Sequence, residues 1–428
     1  MILNNAQTAS GKSISIKIEN GVIKDVSDTN IDGGVDVGSK LILPGLVDLH
    51  THLREPGKED AETVETGSRA ATIGGYTAIS AMANTNPVAD TAGVVEQVYR
   101  LGKSAGLCEV KPIGAVTKGL NGQQLAELGA MADSIAQVRV FSDDGKCVSD
   151  PLLMRRALEY VKTFNGVIAQ HAQDPKLTVN AQMNEGSVSA RIGLVGWPAV
   201  AEEAIIARDI LLADHVGSRL HICHVTTAGG VALIKWAKER GIQVTAEVTP
   251  HHLLLTDELV ENYDPIYKVN PPLRTEKDVW ALREALASGI IDIVATDHAP
   301  HPSEDKDCEW QAAAFGMVGL ETSLSVVVKA MIETKLMDWQ LLVEAMSIKP
   351  AQIAGYDQQG RGIEKGAPAN FILVDPGAKW QVRRDRLNSK SKNTPFEGME
   401  LPALITDVYF NGVQTVNNGA LTGNRAGE

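Results

Sequence analysis

Apolar and polar residues alternate through SISIKIENGVIKDV at 13–26 and again through DVYFNGVQTV at 407–416. Each run is interrupted once, by Asn20-Gly21 and by Asn411-Gly412. A period of two marks a half-buried strand. An Asn-Gly pair between two such runs predicts a tight hairpin, because both turn residues must reach positive φ. NFILVD at 370–375 adds a further strand. Two unrelated terminal hairpins would satisfy these patterns. The likeness of the two ends favours one small composite β domain, 1–43 with 360–428, with residues 44–359 inserted between its halves.

The inserted region has a different rhythm, a short apolar run followed by a helical pattern. Strands are predicted at 41–49, 76–82, 110–116, 136–141, 166–170, 218–223, 242–248 and 290–296, and helices at 61–73, 92–105, 151–163, 227–240 and 275–287. Apolar strands alternating with helices imply a parallel sheet covered on both faces. Eight of them predict an α/β fold with a closed (β/α)8 barrel of the TIM type, joined to the composite β-sandwich domain. An open doubly wound sheet is the competing architecture, but no GxGxxG follows any strand.

Composition narrows the setting. Hydrophobic residues make up 44% of the 428 and charged residues 22%, which is ordinary for a globular enzyme. A formal net charge of -13 disfavours nucleic acid as a partner. No apolar run is long enough to span a bilayer, and no basic segment followed by an apolar one opens the sequence, so a cytoplasmic protein is expected. Cys108, Cys147, Cys223 and Cys308 are scattered without a CxxC pair, so neither a disulfide framework nor a thiolate metal site is indicated. Cys223 lies between His221 and His224 and is read as a packed strand residue.

Reactive side chains gather where the strands stop. GLVDLHTHLREPG at 45–57 sends His50, His52 and Arg54 out of the first strand, and alternation predicts that all three point the same way. Asn84 follows the second strand, Asp143 and Asp144 the fourth, His171 the fifth, His221 and His224 the sixth, His251 and His252 the seventh, and Asp297, His298 and His301 the eighth. Nine of the ten histidines sit at such ends, and only His215 falls elsewhere. Barrel enzymes carry their chemistry on that face. Imidazole and carboxylate suit Zn²⁺ and related ions. Two histidines from the first strand, one each from the fifth and sixth, and aspartates from the fourth and eighth are enough for two metals sharing a bridging carboxylate.

Taken in order, DLHTHLREPG, MANTNP, FSDDG, AQHAQD, HICHVTT, AEVTPHHL, KVNPPLR, ATDHAPH and KNTPFEG resemble the dihydroorotases of the class I bacterial type, in the amidohydrolase superfamily, over nearly the whole chain. The resemblance implies reversible closure of N-carbamoyl-L-aspartate to L-dihydroorotate plus water, in pyrimidine synthesis. It implies Zn²⁺ at two sites, with His50, His52 and Asp297 at the first, His171 and His224 at the second, and Asp144 rather than Asp143 as the bridge. Many relatives bridge with a carbamylated lysine. Here the fourth strand ends in aspartates, so Lys146 is read as a solvated loop residue and the second metal is expected to be held less firmly. Asp297 would also shuttle the proton. Arg54, Asn84 and His301, beside His52, would hold the substrate carboxylate, and Asn270 with the backbone of Phe315 and Gly316 would read the ring. His221, His251, His252 and His298 are assigned support or packing, and the loop 301–316 is a candidate lid. A homodimer is expected, with association to aspartate transcarbamoylase as a further partner. Two rivals stand beside this reading: a hydantoinase, dihydropyrimidinase or allantoinase, against which Arg54 argues, and a non-catalytic subunit, which would be expected to have lost ligands that are all present here.

Overall fold

The computed structural model describes residues 1–427. Its centre is a ring of eight parallel strands: Leu46–Thr51, Tyr76–Ala81, Glu109–Pro112, Val140–Phe141, Val167–Gln170, Leu220–Ile222, Val244–Val248 and Ile293–Val294. Continuous pairing links the first three strands and, separately, the last five. The bridges Gly114↔Phe141 and Thr51↔His298 close the circle. A barrel strand stands at each of the eight predicted places, mostly shorter than predicted, with the first running on to Thr51 and the third starting at Glu109. Apart from Glu109, Lys111 and Thr245, their side chains are buried on both faces, which explains why most of them read as apolar runs rather than as alternations.

The predicted helices surround the ring. Thr63, Asp150, Thr227 and Thr275 each accept a backbone N–H in the first turn of Val64–Ile73, Pro151–Lys162, Ala228–Glu239 and Glu276–Ala287. These caps satisfy donors that the helix itself leaves free. Val200–Val216 is a further helix and carries His215 in its last turn, ahead of the strand Leu220–Ile222 rather than after one.

The apolar run at 41–49 is not one strand. Leu41–Pro44 joins the sheet made by the chain ends, and Leu46–Thr51 opens the barrel. Gly45 is the pivot, where a Cβ would lie 2.2 Å from Thr77 Oγ1. Both halves are wholly buried, so hydrophobicity could not mark the division. The terminal sheet has nine strands, and Leu41–Pro44 pairs antiparallel with Phe371–Gln381, placing Leu43 opposite Ile372. Both hairpins form, with Asn20 and Gly21 at φ 52° and 76° and Asn411 and Gly412 at 50° and 76°. The two turns pack against each other, so that a Cβ on Gly412 would lie 2.8 Å from Gly21 Cα.

Candidate active site

The cluster at the strand ends is compact. His50 Nε2 lies 3.4 Å from both Asp144 Oδ2 and Asp297 Oδ1, and His52 Nε2 lies 3.2 Å and 3.0 Å from the same two oxygens. His171 Nδ1 and His224 Nε2 each stand 3.2 Å from Asp144 Oδ1 and 2.9 Å from each other. Asp144 thus turns one oxygen to each group. Within each group, His50–His52–Asp144–Asp297 and Asp144–His171–His224, the potential ligand atoms all lie within 4.8 Å of one another. The fourth-strand ambiguity is resolved by what Asp143 does. It accepts hydrogen bonds from Val116 N at 2.8 Å, Thr117 N at 2.9 Å and the Thr117 hydroxyl, and so anchors a neighbouring loop. Lys146 is exposed.

The donor set fits divalent cations. His50 Nε2 is buried and makes no hydrogen bond. Lone pairs on two imidazole nitrogens 2.9 Å apart repel unless a proton or a cation lies between them. The far side of three rings is held: His50 Nδ1 to Glu247 Oε1 at 2.6 Å, His52 Nδ1 to Asn84 Oδ1 at 2.9 Å and His171 Nε2 to Gln173 Oε1 at 2.7 Å. Such partners fix the tautomer and aim the free nitrogen inward. Burial disfavours a charged His50, but Asp144, Glu247 and Asp297 outweigh it and draw its pKa up, which shows a field built for positive charge. Burial likewise works against ionised Asp297, and the imidazoles of His50 and His52 overcome it to hold the carboxyl below its ordinary range. Arg54, His224 and Asp297 all adopt the left-handed backbone region, at φ 65°, 29° and 46°. Non-glycine residues held there cost of order 1–3 kcal/mol each, which the surrounding packing must offset.

Beside the cluster opens a cavity of about 250 Å³. Its walls include His52, Arg54, Asn84 and Asn270 on one hand and His301, Phe315 and Gly316 on the other, with Asp144, His171 and Asp297 at the metal side. The alternation argument fails for Arg54, because the strand ends at Thr51. The side chain reaches the cavity by another route: its Nε donates to Pro300 O at 3.1 Å. Its Nη2 faces His301 Nε2 at 3.3 Å, but that nitrogen donates to Phe315 O at 2.8 Å and so has no lone pair to offer. Arg54 is 7% exposed, and no carboxylate among the described residues pairs with it. Burial pulls its pKa down to about 10. A buried guanidinium that no protein carboxylate neutralises is suited to take an anionic group.

Asn84 holds His52 with its oxygen and keeps its amide N–H groups for the cavity. Asn270 Oδ1 is buried without a partner. The Phe315–Gly316 backbone differs from expectation. Gly316 N donates to Lys268 O at 2.9 Å, and Gly316 O accepts from Lys306 Nζ and Asn393 Nδ2. The segment therefore forms a wall whose polar groups are largely engaged within the protein. Gly316, at φ 144°, could carry no side chain, since a Cβ would lie 2.7 Å from Ala299 Cβ.

Three of the four histidines assigned to support have partners: His221 Nε2 bonds Glu247 Oε2 at 3.0 Å, His252 bonds Thr249, and His298 lies 3.4 Å from Glu62. His251 Nε2 is buried without one. Cys223 is buried in the barrel core, and burial pushes its thiol well up. Sequence reasoning missed Glu247, Gln173 and Asp48. Glu247 joins His50, His221 and the His224 backbone, and Asp48 ties the first strand to the eighth through Thr296. The available signal was an acidic residue inside an apolar strand, in VTAEV and in GLVDL, since buried carboxylates are rare unless partnered.

Known proteins resemble this chain over nearly its whole length. A family model described as dihydro-orotase-like matches residues 39–229. A dihydroorotase of Streptomyces coelicolor is 62% identical over 98% of this chain and 99% of its own. The chain belongs to the dihydroorotase family. A dihydroorotase of Mycobacterium tuberculosis is 52% identical over 96% of both chains. Among solved structures, an L-hydantoinase (dihydropyrimidinase) from Arthrobacter aurescens superposes with a TM-score of 0.88 at 25% identity, covering 99% of this chain and 98% of that one. Dihydroorotase family and hydantoinase-like architecture therefore meet in one chain: an amidohydrolase barrel carrying a sheet built from both chain ends.

Proposed function

We propose that the chain catalyses the reversible cyclisation of N-carbamoyl-L-aspartate to L-dihydroorotate plus water. The observation that carries this reading is Arg54, a buried cation without a carboxylate beside the His/Asp cluster. Uncharged rings such as hydantoin would leave that charge unsatisfied, at a cost of about 1–3 kcal/mol or more. The relatives of 44–62% identity are named dihydroorotases, which supports the same choice over a hydantoinase.

Zn²⁺ is the proposed cation, at two sites: His50, His52 and Asp297 would hold one, His171 and His224 the other, and Asp144 would bridge. When bound, the ions would supply Lewis acidity and bring the pKa of coordinated water from 15.7 to roughly 7. The chain's own residues do the rest. Arg54 and the Asn84 amide hold the α-carboxylate, with His301 keeping Phe315 and the Arg54 pocket in place. Asn270 Oδ1 accepts a ring N–H. Asp297 takes the proton of the attacking water and delivers it to the leaving ring nitrogen; in the biosynthetic direction it takes the ureido N–H proton and passes it to the departing carboxylate oxygen, which leaves as water. The sheet pairing supports reading 1–43 with 360–428 as one unit and 44–359 as the other. The deciding assay compares L-dihydroorotate with hydantoin and allantoin on zinc-loaded protein. Turnover of dihydroorotate alone is expected, and preference for hydantoin would overturn the proposal.

A further inference from the structure

We propose that Gln173 is a positioning residue: it fixes which way the Asn270 amide faces, and through one shared oxygen it couples substrate reading at Asn270 to cation binding at His171. The inference rests on the dihydroorotase reading above. Gln173 stands two positions past His171, where the chain leaves the fifth barrel strand. Its Oε1 lies 2.7 Å from His171 Nε2 and 3.3 Å from Asn270 Nδ2. Its Nε2 lies 2.8 Å from Thr178 Oγ1, and that hydroxyl donates to Asp174 O at 2.9 Å.

The direction of every bond follows. A hydroxyl has one proton. Thr178 gives it to a carbonyl, so it must accept from Gln173, and the amide nitrogen of Gln173 is the atom that faces it. The Gln173 oxygen then faces His171 and Asn270, and both must donate. His171 carries its proton on Nε2 and turns the Nδ1 lone pair toward Asp144 and His224. Asn270 gives its N–H to Gln173 and is left with a buried, unpartnered oxygen at the cavity wall. Reversing the Gln173 amide would reverse both. The cavity would then meet the ring with a donor, which selects a carbonyl, instead of an acceptor, which selects N–H. A residue outside the cavity lining thus sets what the cavity reads.

One oxygen serving two donors also makes them interdependent, since bonds in a chain polarise one another. A cation on His171 Nδ1 strengthens the Nε2–H donor and alters how firmly Asn270 is held. By linkage, the ring must change cation affinity by the factor through which the cation changes ring affinity.

The test measures Zn²⁺ affinity by chelator competition, with and without the equilibrium mixture of L-dihydroorotate and N-carbamoyl-L-aspartate. In the wild-type chain the mixture should tighten the weaker zinc site by about fivefold or more, the lower end of ordinary coupling. Gln173→Met should abolish that tightening and raise KM about tenfold, while leaving the tighter zinc site unchanged. Gln173→Glu keeps an oxygen acceptor at the shared position, with the Thr178 hydroxyl turned from Asp174 O to donate to the second carboxylate oxygen, and should retain the coupling. Asn270→Ala should abolish it independently, and Gln173→Met combined with Asn270→Ala should lose no more than either alone. Coupling that survives in Gln173→Met or in Asn270→Ala overturns the inference, as does a wild-type chain that turns over dihydroorotate without any coupling. A wild-type chain that fails to turn over dihydroorotate at any zinc level overturns the proposed function instead.

Discussion

At the scale of single residues, the site works by assigning each polar atom one task. Asp297 faces both His52 and the cavity, so one carboxylate can hold a cation and carry a proton. Asp297→Asn should lower kcat by at least about 10²-fold, the usual worth of a positioned acid or base, while metal analysis still finds most of the bound zinc. Activity near wild type would remove Asp297 from the proton path. Arg54→Met should raise KM for dihydroorotate by about 10- to 100-fold, because a hydrogen bond to a charged group contributes roughly 1.5–3 kcal/mol; titration with the ligand would read the loss directly. Two histidines give a pH dependence. Burial, then the charges of Arg54 and Lys306, lower His301 to about 3, and burial, opposed by Asp297, lowers His251 to about 4. In the unfolded chain both bind a proton near pH 6.5. Between those values the unfolded state carries more protons, so stability falls as pH drops below about 6.5. Thermal melts from pH 7 to 4.5 should show that decline, and His251→Asn should make it shallower. The identities of these residues were legible from the sequence. Their partners were not, because Glu247 and Gln173 reach the site only through the way strands and loops meet.

At the scale of elements, the loop 301–316 forms one wall of the cavity and is held by two buried ammonium groups. Lys306, 4% exposed, donates to Lys268 O, Ala314 O and Gly316 O at 3.2, 2.9 and 3.1 Å, and Lys268 donates to Trp310 O at 2.7 Å. Burial, then the charge of Lys268, draws Lys306 down to about 7. Lys306→Met should loosen this wall. Faster amide exchange through 301–316 and a several-fold rise in KM are expected, with zinc affinity unchanged; unaltered exchange would show that the clamp does not hold the loop. The short apolar strands and the amphipathic helices of the barrel were readable as elements, because period and capping are local properties. The break at Gly45 was not. It is imposed by Thr77 from another strand, which leaves no room for a side chain, while the residues on either side are equally apolar.

At the scale of the whole molecule, the barrel depends on a sheet to which both chain ends contribute. Phe371 stacks on Tyr409 with ring centroids 4.5 Å apart inside that sheet's own core. Phe371→Ala should destabilise the protein by about 3–5 kcal/mol, as deletion of a buried aromatic ring does. Chemical denaturation should show that loss, with KM for dihydroorotate unchanged, and a shifted KM would mean that the sheet reaches further into the site than its position indicates. The order of strands and helices, the matching hairpins at the two ends and the gathering of histidines at strand ends were determined by the sequence, because each depends on residues near one another along the chain. The tertiary structure alone decided that Asp144 and not Asp143 enters the site, that no carboxylate of the protein pairs with Arg54 and that the Phe315–Gly316 backbone is engaged within the protein. Each of those outcomes depends on which donor, acceptor or charge arrives from a distant strand, and local sequence carries no record of that arrival.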